Sequence, residues 1–151
     1  MHGPDPLSGA LIELVGFIND PRQDGRMMME AGLDLDPAFL PVLVRLGTQG
    51  PAGVVELAGR VGRDHSTMSR QLARLEAEGL VERARSDSDG RARTARVTPR
   101  GAQAVAALAS ARKRLLDRAL ADWTPGERDT LARLLGRFAG ALTAAATPTP
   151  D

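Results

Sequence analysis

The stretch VGRDHSTMSRQLARLEAEGLVER, residues 61–83, decides how the rest of the chain is read. Gly62 breaks one short helix, Asp64 is placed to cap the next, and Gly79 ends it, so a helix is expected from His65 to about Glu78. At about 100° per residue, Met68, Leu72 and Leu75 fall on one narrow stripe that must pack inward. Ser66, Thr67, Arg70, Ala73 and Arg74 lie opposite, with Ser69 and Gln71 at the flanks. Just upstream, VVELAGRVG (residues 54–62) carries Val54, Leu57, Ala58 and Val61 on one side of a short helix. Two short helices joined by a glycine turn form the helix-turn-helix pattern. Downstream, LVERAR and ARTARVT have strand character, and SDSDGR between them holds the Asp-Gly pair of a hairpin turn. A hairpin in that place is a wing.

Working outward, the apolar positions Leu7, Leu11, Leu14, Val15 and Ile18 predict an N-terminal helix extending to about Met29, interrupted or ended near Asn19-Asp20-Pro21. Asp36 and Pro37 are cap and first residue of a helix carrying Phe39, Leu40, Val42, Leu43 and Leu46, with Pro41 in its first turn and its end at Gly47 or Gly50. Thr98-Pro99 restarts a helix rich in alanine and leucine, and Thr124-Pro125-Gly126-Glu127 is a capping box opening a last helix to about Ala146. The expected fold is mainly α with a small β-hairpin wing: one domain over 1–151, a winged lobe at 51–97, and dimerisation helices at 7–30 and 125–146.

Composition excludes several kinds of chemistry. There is no cysteine, so disulfides, thiolate nucleophiles, thiol redox switches and cysteine-ligated metals are ruled out. His2 and His65 are the only histidines, too few for a histidine metal site within one chain, and no cofactor is expected. No apolar run is long enough for a membrane span and the first residues lack the pattern of a secretory signal, so a cytoplasmic protein without a membrane partner is expected. The net charge of +1 hides an asymmetry: residues 59–100 hold ten arginines against six acidic residues, while the remainder holds ten basic against thirteen acidic. A basic middle with acidic flanks points toward nucleic acid.

The outer face of the 65–78 helix suits DNA. Hydroxyls and a helix N-terminus bind phosphates, and an arginine can hydrogen-bond guanine O6 and N7 in the major groove. The competing reading is an amphipathic helix with a merely hydrated outer face; the preceding short helix and the basic hairpin weigh against it. His65, in the first turn, is a DNA contact or a surface or capping residue. No catalytic constellation accompanies it, neither H-E-x-x-H nor G-x-S-x-G nor a Ser-His-Asp arrangement, and no enzyme is expected.

The segments L-A…S-T-M-S-R…L-A-R-L-E-A-E-G-L-V-E-R and D-G-R-A-R…V-T-P-R-G, between Leu57 and Gly101, resemble the MarR family of bacterial transcription regulators. The resemblance implies a winged helix-turn-helix, an obligate homodimer built from the terminal helices, and ligand- or stress-responsive control of nearby genes. It makes His65, Ser66, Thr67, Ser69, Arg70 and Arg74 candidate contacts to duplex DNA from the recognition helix, and Arg91 and Arg93 from the wing. Where the family wing commonly reads Asp-x-Arg-Asp-x-Arg, this chain has Ser86-Asp87-Ser88-Asp89-Gly90-Arg91. Asp89 would then support the wing and Arg91 enter the minor groove, where narrow width concentrates negative potential; Ser86 and Ser88 leave that tip with less ionic support. Arg93 and Arg96 fall on opposite strand faces, so only one can face DNA, and Arg93 is nearer the tip. Arg83 and Arg85 either touch phosphates or solvate the hairpin.

Leu7, Leu11, Leu14 and Ile18, with Leu131, Leu134, Leu135, Phe138 and Leu142, are more apolar surface than one small lobe covers, which predicts an interface. A two-fold dimer would present two recognition helices about 34 Å apart to a near-palindromic operator. A small-molecule effector, implied by the resemblance, would release DNA by fixing a different separation. Met28, in the Met27–Met29 run, and Trp123 are candidate walls for its pocket, against the alternatives of core or interface packing for the methionines and an anchor between the last two helices for the tryptophan. The resulting expectation is a DNA-binding transcription regulator, a repressor; the alternative is a winged-helix adaptor that binds protein and shows no salt-dependent preference for duplex DNA.

Overall fold

The computed structural model describes residues 5–85 and 93–146, with the side chains at positions 85, 93 and 146 outside the description. Helix α1 (Pro6–Ile18) opens on Asp5, whose carboxylate accepts from the backbone N–H of Leu7 and Ser8. Helix α2 (Pro21–Glu30) opens the same way on Asp20, which accepts from the N–H of Arg22 at 3.0 Å. The apolar run from residue 7 is thus broken where Asp20-Pro21 restarts the chain, because a proline lacks the N–H that would continue a helix.

Asp36 caps a 3-10 turn, η1 (Pro37–Phe39), through a 2.9 Å bond from the Ala38 N–H, and α3 (Leu40–Gln49) follows. The single helix expected from Pro37 is therefore divided. Pro41 cannot donate back to the Pro37 carbonyl, and the N–H of Leu40 takes that carbonyl instead, which tightens the first turn. Gly47 does not end α3; the chain turns at Gly50.

The helix-turn-helix consists of α4 (Val54–Val61) and α5 (His65–Ala77). Between them Gly62 takes a left-handed conformation (φ 69°), which a side chain would oppose. Strands β2 (Val81–Arg85) and β3 (Arg93–Val97) pair antiparallel from Val81↔Val97 to Arg85↔Arg93. A short strand not expected from the sequence, β1 (Ala52–Gly53), adds to the other side of β3, giving the order β1-β3-β2. Helices α6 (Pro99–Ala119) and α7 (Pro125–Ala146) complete the described chain. The Thr124 box forms as expected: the Thr124 N–H donates to Glu127 Oε2 at 2.8 Å, and the Glu127 N–H donates to Thr124 Oγ1 at 3.3 Å.

The chain divides into two compact units after Arg112. In the first, one apolar core joins Phe39, Val42, Leu43 and Leu46 to Leu57, Met68, Leu72, Leu75, Leu80 and Ala104. The segment 51–97 therefore rests on α3 and on the first half of α6. Among the described residues, no helix is long and apolar enough to cross a membrane.

Candidate nucleic-acid interface

Helix α5 is held at its start by Asp64. One carboxylate oxygen accepts from the Thr67 N–H at 2.8 Å and the other from the Thr67 hydroxyl at 2.7 Å. Those bonds, the hydroxyl first, hold the Asp64 carboxyl below its ordinary pKa. Met68, Leu72 and Leu75 are fully buried, and His65, Ser66, Arg70, Ala73 and Arg74 are exposed. Thr67 and Ser69 are half-buried, Thr67 because its hydroxyl serves the cap.

Gln71 corrects the expected phase. It is buried rather than at a flank, and its Nε2 donates to the Ala38 carbonyl at 3.2 Å. Its position three residues after Met68 and four before Leu75 puts it in the same inward seam, a spacing legible in the sequence but masked by its polar side chain.

The two exposed arginines of α5 have different neighbours. Arg70 donates from Nη2 to Thr67 Oγ1 at 3.2 Å, a neutral partner. Arg74 lies 3.0 Å from Asp36 Oδ2, with its guanidinium carbon 4.9 Å from the Phe39 ring centre. Asp36 and Phe39 were not singled out as site residues by the sequence, since both precede the helix-turn-helix.

Arg96 and Arg83 of the basic stretch are likewise ion-paired, and Arg100 is held by a backbone carbonyl. Arg96 donates to Glu82, its partner in strand register, at 2.8 Å. Arg83 lies 2.9 Å from Glu76, an ionic contact without the alignment of a hydrogen bond. Arg100 donates to the Glu78 carbonyl at 2.7 Å. The wing residues Asp89 and Arg91, with Ser86 and Ser88, lie outside the described residues, as does the side chain of Arg93, whose backbone pairs with Arg85.

The two candidate effector residues line separate depressions. Met28 is buried beside Gly25, Leu33, Leu35 and Pro37 at a hollow of about 410 Å³, while Met29 is exposed. Trp123, 43% exposed, borders a shallow hollow of about 630 Å³ with Glu127, Thr130, Leu131 and Leu134. Among the described residues, no cluster of three histidine, cysteine or acidic side chains is arranged to hold a metal.

Residues 37–92, from η1 through the 86–92 connection, match the sequence model of the MarR family. The chain is 38% identical over 138 residues to the uncharacterized HTH-type transcriptional regulator YxaD of Bacillus subtilis (strain 168), covering 91% of this chain and 96% of that one. It is 28% identical over 103 residues to the HTH-type transcriptional repressor IacR of Pseudomonas putida, covering 68% of this chain and 62% of that one. The fold matches a MarR family protein from Bacillus stearothermophilus with a TM-score of 0.77 and 22% identity, over 94% of this chain and 99% of that one. With the capped helix α5, its buried stripe and the strand pair following in order, the chain belongs to the MarR family of HTH-type transcription regulators.

Proposed function

We propose that the protein is a homodimeric repressor that binds a near-palindromic operator in duplex DNA and is released from it by a small-molecule effector. The outer face of α5 carries this reading: Ser66, Arg70 and Arg74 are exposed together while the apolar stripe beneath them is fully buried. In the major groove, Arg70 is the base reader, since its hydrogen-bond partner is the Thr67 hydroxyl, which orients it and stands between it and the Asp64 carboxylate. His65, Ser66, Thr67 and Ser69 surround the helix N-terminus, where phosphates are favoured. Arg91 and Arg93 serve the minor groove and the flanking backbone, with Asp89 supporting the wing. The similarity to a protein named as a repressor supports the direction of control.

Dimerisation is supported by apolar surface. Helix α1 has no buried residue, with Ile12 73% and Phe17 60% exposed, and α7 exposes Leu134, Leu135 and Leu142. Such patches mark interfaces. An effector acts on this assembly only by binding its two states unequally, and the hollows beside Met28 and Trp123 are the candidate places for it.

Selection of duplexes from a random pool, at one stated salt concentration, tests the proposal. A palindromic site should be enriched, and Arg70→Ala should weaken binding to it by about 1–3 kcal/mol while relaxing preference at one base position. Enrichment of no sequence, with duplex binding insensitive to salt, would instead favour a protein-binding adaptor.

A further inference from the structure

Arg74 follows Arg70 by one helical turn on the exposed face of α5, so both point toward the same partner. Their charges are not equally available. Arg70 rests on a hydroxyl and feels the Asp64 carboxylate only at longer range, whereas Arg74 is ion-paired to Asp36 and stacked over Phe39. Asp36 uses its oxygens separately: Oδ1 accepts from the Ala38 N–H at 2.9 Å, and Oδ2 faces Arg74 at 3.0 Å. The carboxylate is thereby fixed to the start of η1 and cannot follow the guanidinium outward. Gln71, one turn back on the same side, donates to the Ala38 carbonyl and keeps this part of α5 against η1.

We propose that Asp36 is an affinity-setting residue, an internal competitor that occupies Arg74 in the free protein and must yield it to a DNA phosphate on binding. This rests on the reading of α5 as the DNA-facing helix. The exchange is feasible because the pair is accessible, with Arg74 60% and Asp36 34% exposed at the side chain. Phe39 supplies the surface on which the guanidinium remains stacked as it changes partners, since a ring face attracts a cation. An arginine already neutralised by a carboxylate contributes little to attracting a polyanion until that contact is broken, so the competitor lowers affinity for any duplex and leaves base preference to Arg70.

The test uses Asp36→Asn, which keeps an oxygen to cap η1 and removes the charge. Binding to a labelled mixed-sequence duplex of about three helical turns is measured across a salt series. Asp36→Asn should bind roughly two- to fivefold more tightly at low salt, as expected for release of an exposed pair. Arg74→Gln should bind more weakly. In the Arg74→Gln background, Asp36→Asn should give a clearly smaller gain, the remainder being the simple removal of a negative charge that also faces Arg63. An equal gain with and without Arg74, or a loss of affinity in a variant that melts like the wild type, would overturn the proposal. If Asp36→Asn melts lower, Asp36→Ser, another capping residue without charge, carries the same comparison. A wild-type protein that binds no duplex in a salt-dependent way would remove the DNA reading itself, an outcome distinct from either failure.

Discussion

Gly101→Ala sets two effects of opposite sign against each other. Gly101 lies in the first turn of α6, where alanine is favoured over glycine by about 1 kcal/mol on helix propensity. A methyl there would stand 3.0 Å from the Leu80 carbonyl carbon, closer still to its oxygen, and 3.2 Å from Val97 Cβ. Carbon contacts settle at about 3.5–4.0 Å, so α6 must move away from the 79–80 turn by at least several tenths of an ångström. That movement strains the knot joining α6 to the end of α5. The Thr98 N–H donates to the Leu80 carbonyl at 3.0 Å, the Thr98 hydroxyl donates to the Gly79 carbonyl at 2.6 Å, and the Gly101 N–H donates to that hydroxyl at 3.1 Å. Overpacking costs about 1–3 kcal/mol and each weakened bond adds about 1, so the clash outweighs propensity and leaves a net loss of about 3 kcal/mol. Thermal unfolding followed by circular dichroism should show a Tm about 10 °C lower. Gly59→Ala, in α4 with open space around the new methyl, is the control and should raise stability slightly. A Gly101→Ala protein melting at or above the wild type would refute the close approach, and with it the locking of α6 against the end of α5.

Gly47→Ala should likewise destabilise, by about 1–3 kcal/mol less the gain in propensity, because the methyl would meet the Val105 side chain at 2.6 Å. Val105→Ala in the same chain should recover most of that loss in urea titrations, and no recovery would show that the two positions do not touch. Acid should unfold the protein through carboxylates bonded in the folded state. Asp20, Asp36, Asp64, Asp117 and Glu127 are all lowered from ordinary values of 3.8 and 4.5. Their contribution is present above those values and is lost as pH falls through the lower folded ones. Denaturation midpoints that rise on acidification would contradict it.

What the sequence revealed was what short-range chemistry determines. The caps at Asp36, Asp64, Thr98 and Thr124 were legible because a capping side chain bonds within three residues of itself, and the inward stripe of α5 because helical phase is local. Strand β1 was not legible: Ala52 and Gly53 have no extended character of their own and pair only because β3 lies beside them. The division at Pro37–Phe39 needed the consequence of Pro41's missing N–H to be carried back one turn. Gly47 looked like a terminator because glycine ends helices, whereas here it makes room for Val105, a residue far along the chain.

Charge shows the same limit with more bearing on function. Ten arginines between residues 59 and 100 suggest a broad cationic surface, but the structure uses part of that charge internally. Arg96 ties β3 to β2 through Glu82, Arg83 ties β2 to α5 through Glu76, and Arg100 ties α6 to the end of α5 through a carbonyl. Arg83 and Arg96 fix the root of the strand pair, and exposed pairs of this kind contribute at most about 1 kcal/mol each to stability, whereas Arg100, bonded to a neutral carbonyl, keeps its charge. The greater effect of the pairs is on the field. The carboxylates of Glu76 and Glu82 offset the charge of Arg83 and Arg96, so the potential at the root of the strand pair is lower than the arginine count suggests. Arg74 stands at the border between the two groups, exposed like a reader and paired like a strut. Its acidic partner lies outside the window in which charges are naturally counted, so a count along the sequence could not have separated the arginines that face solvent freely from those already occupied.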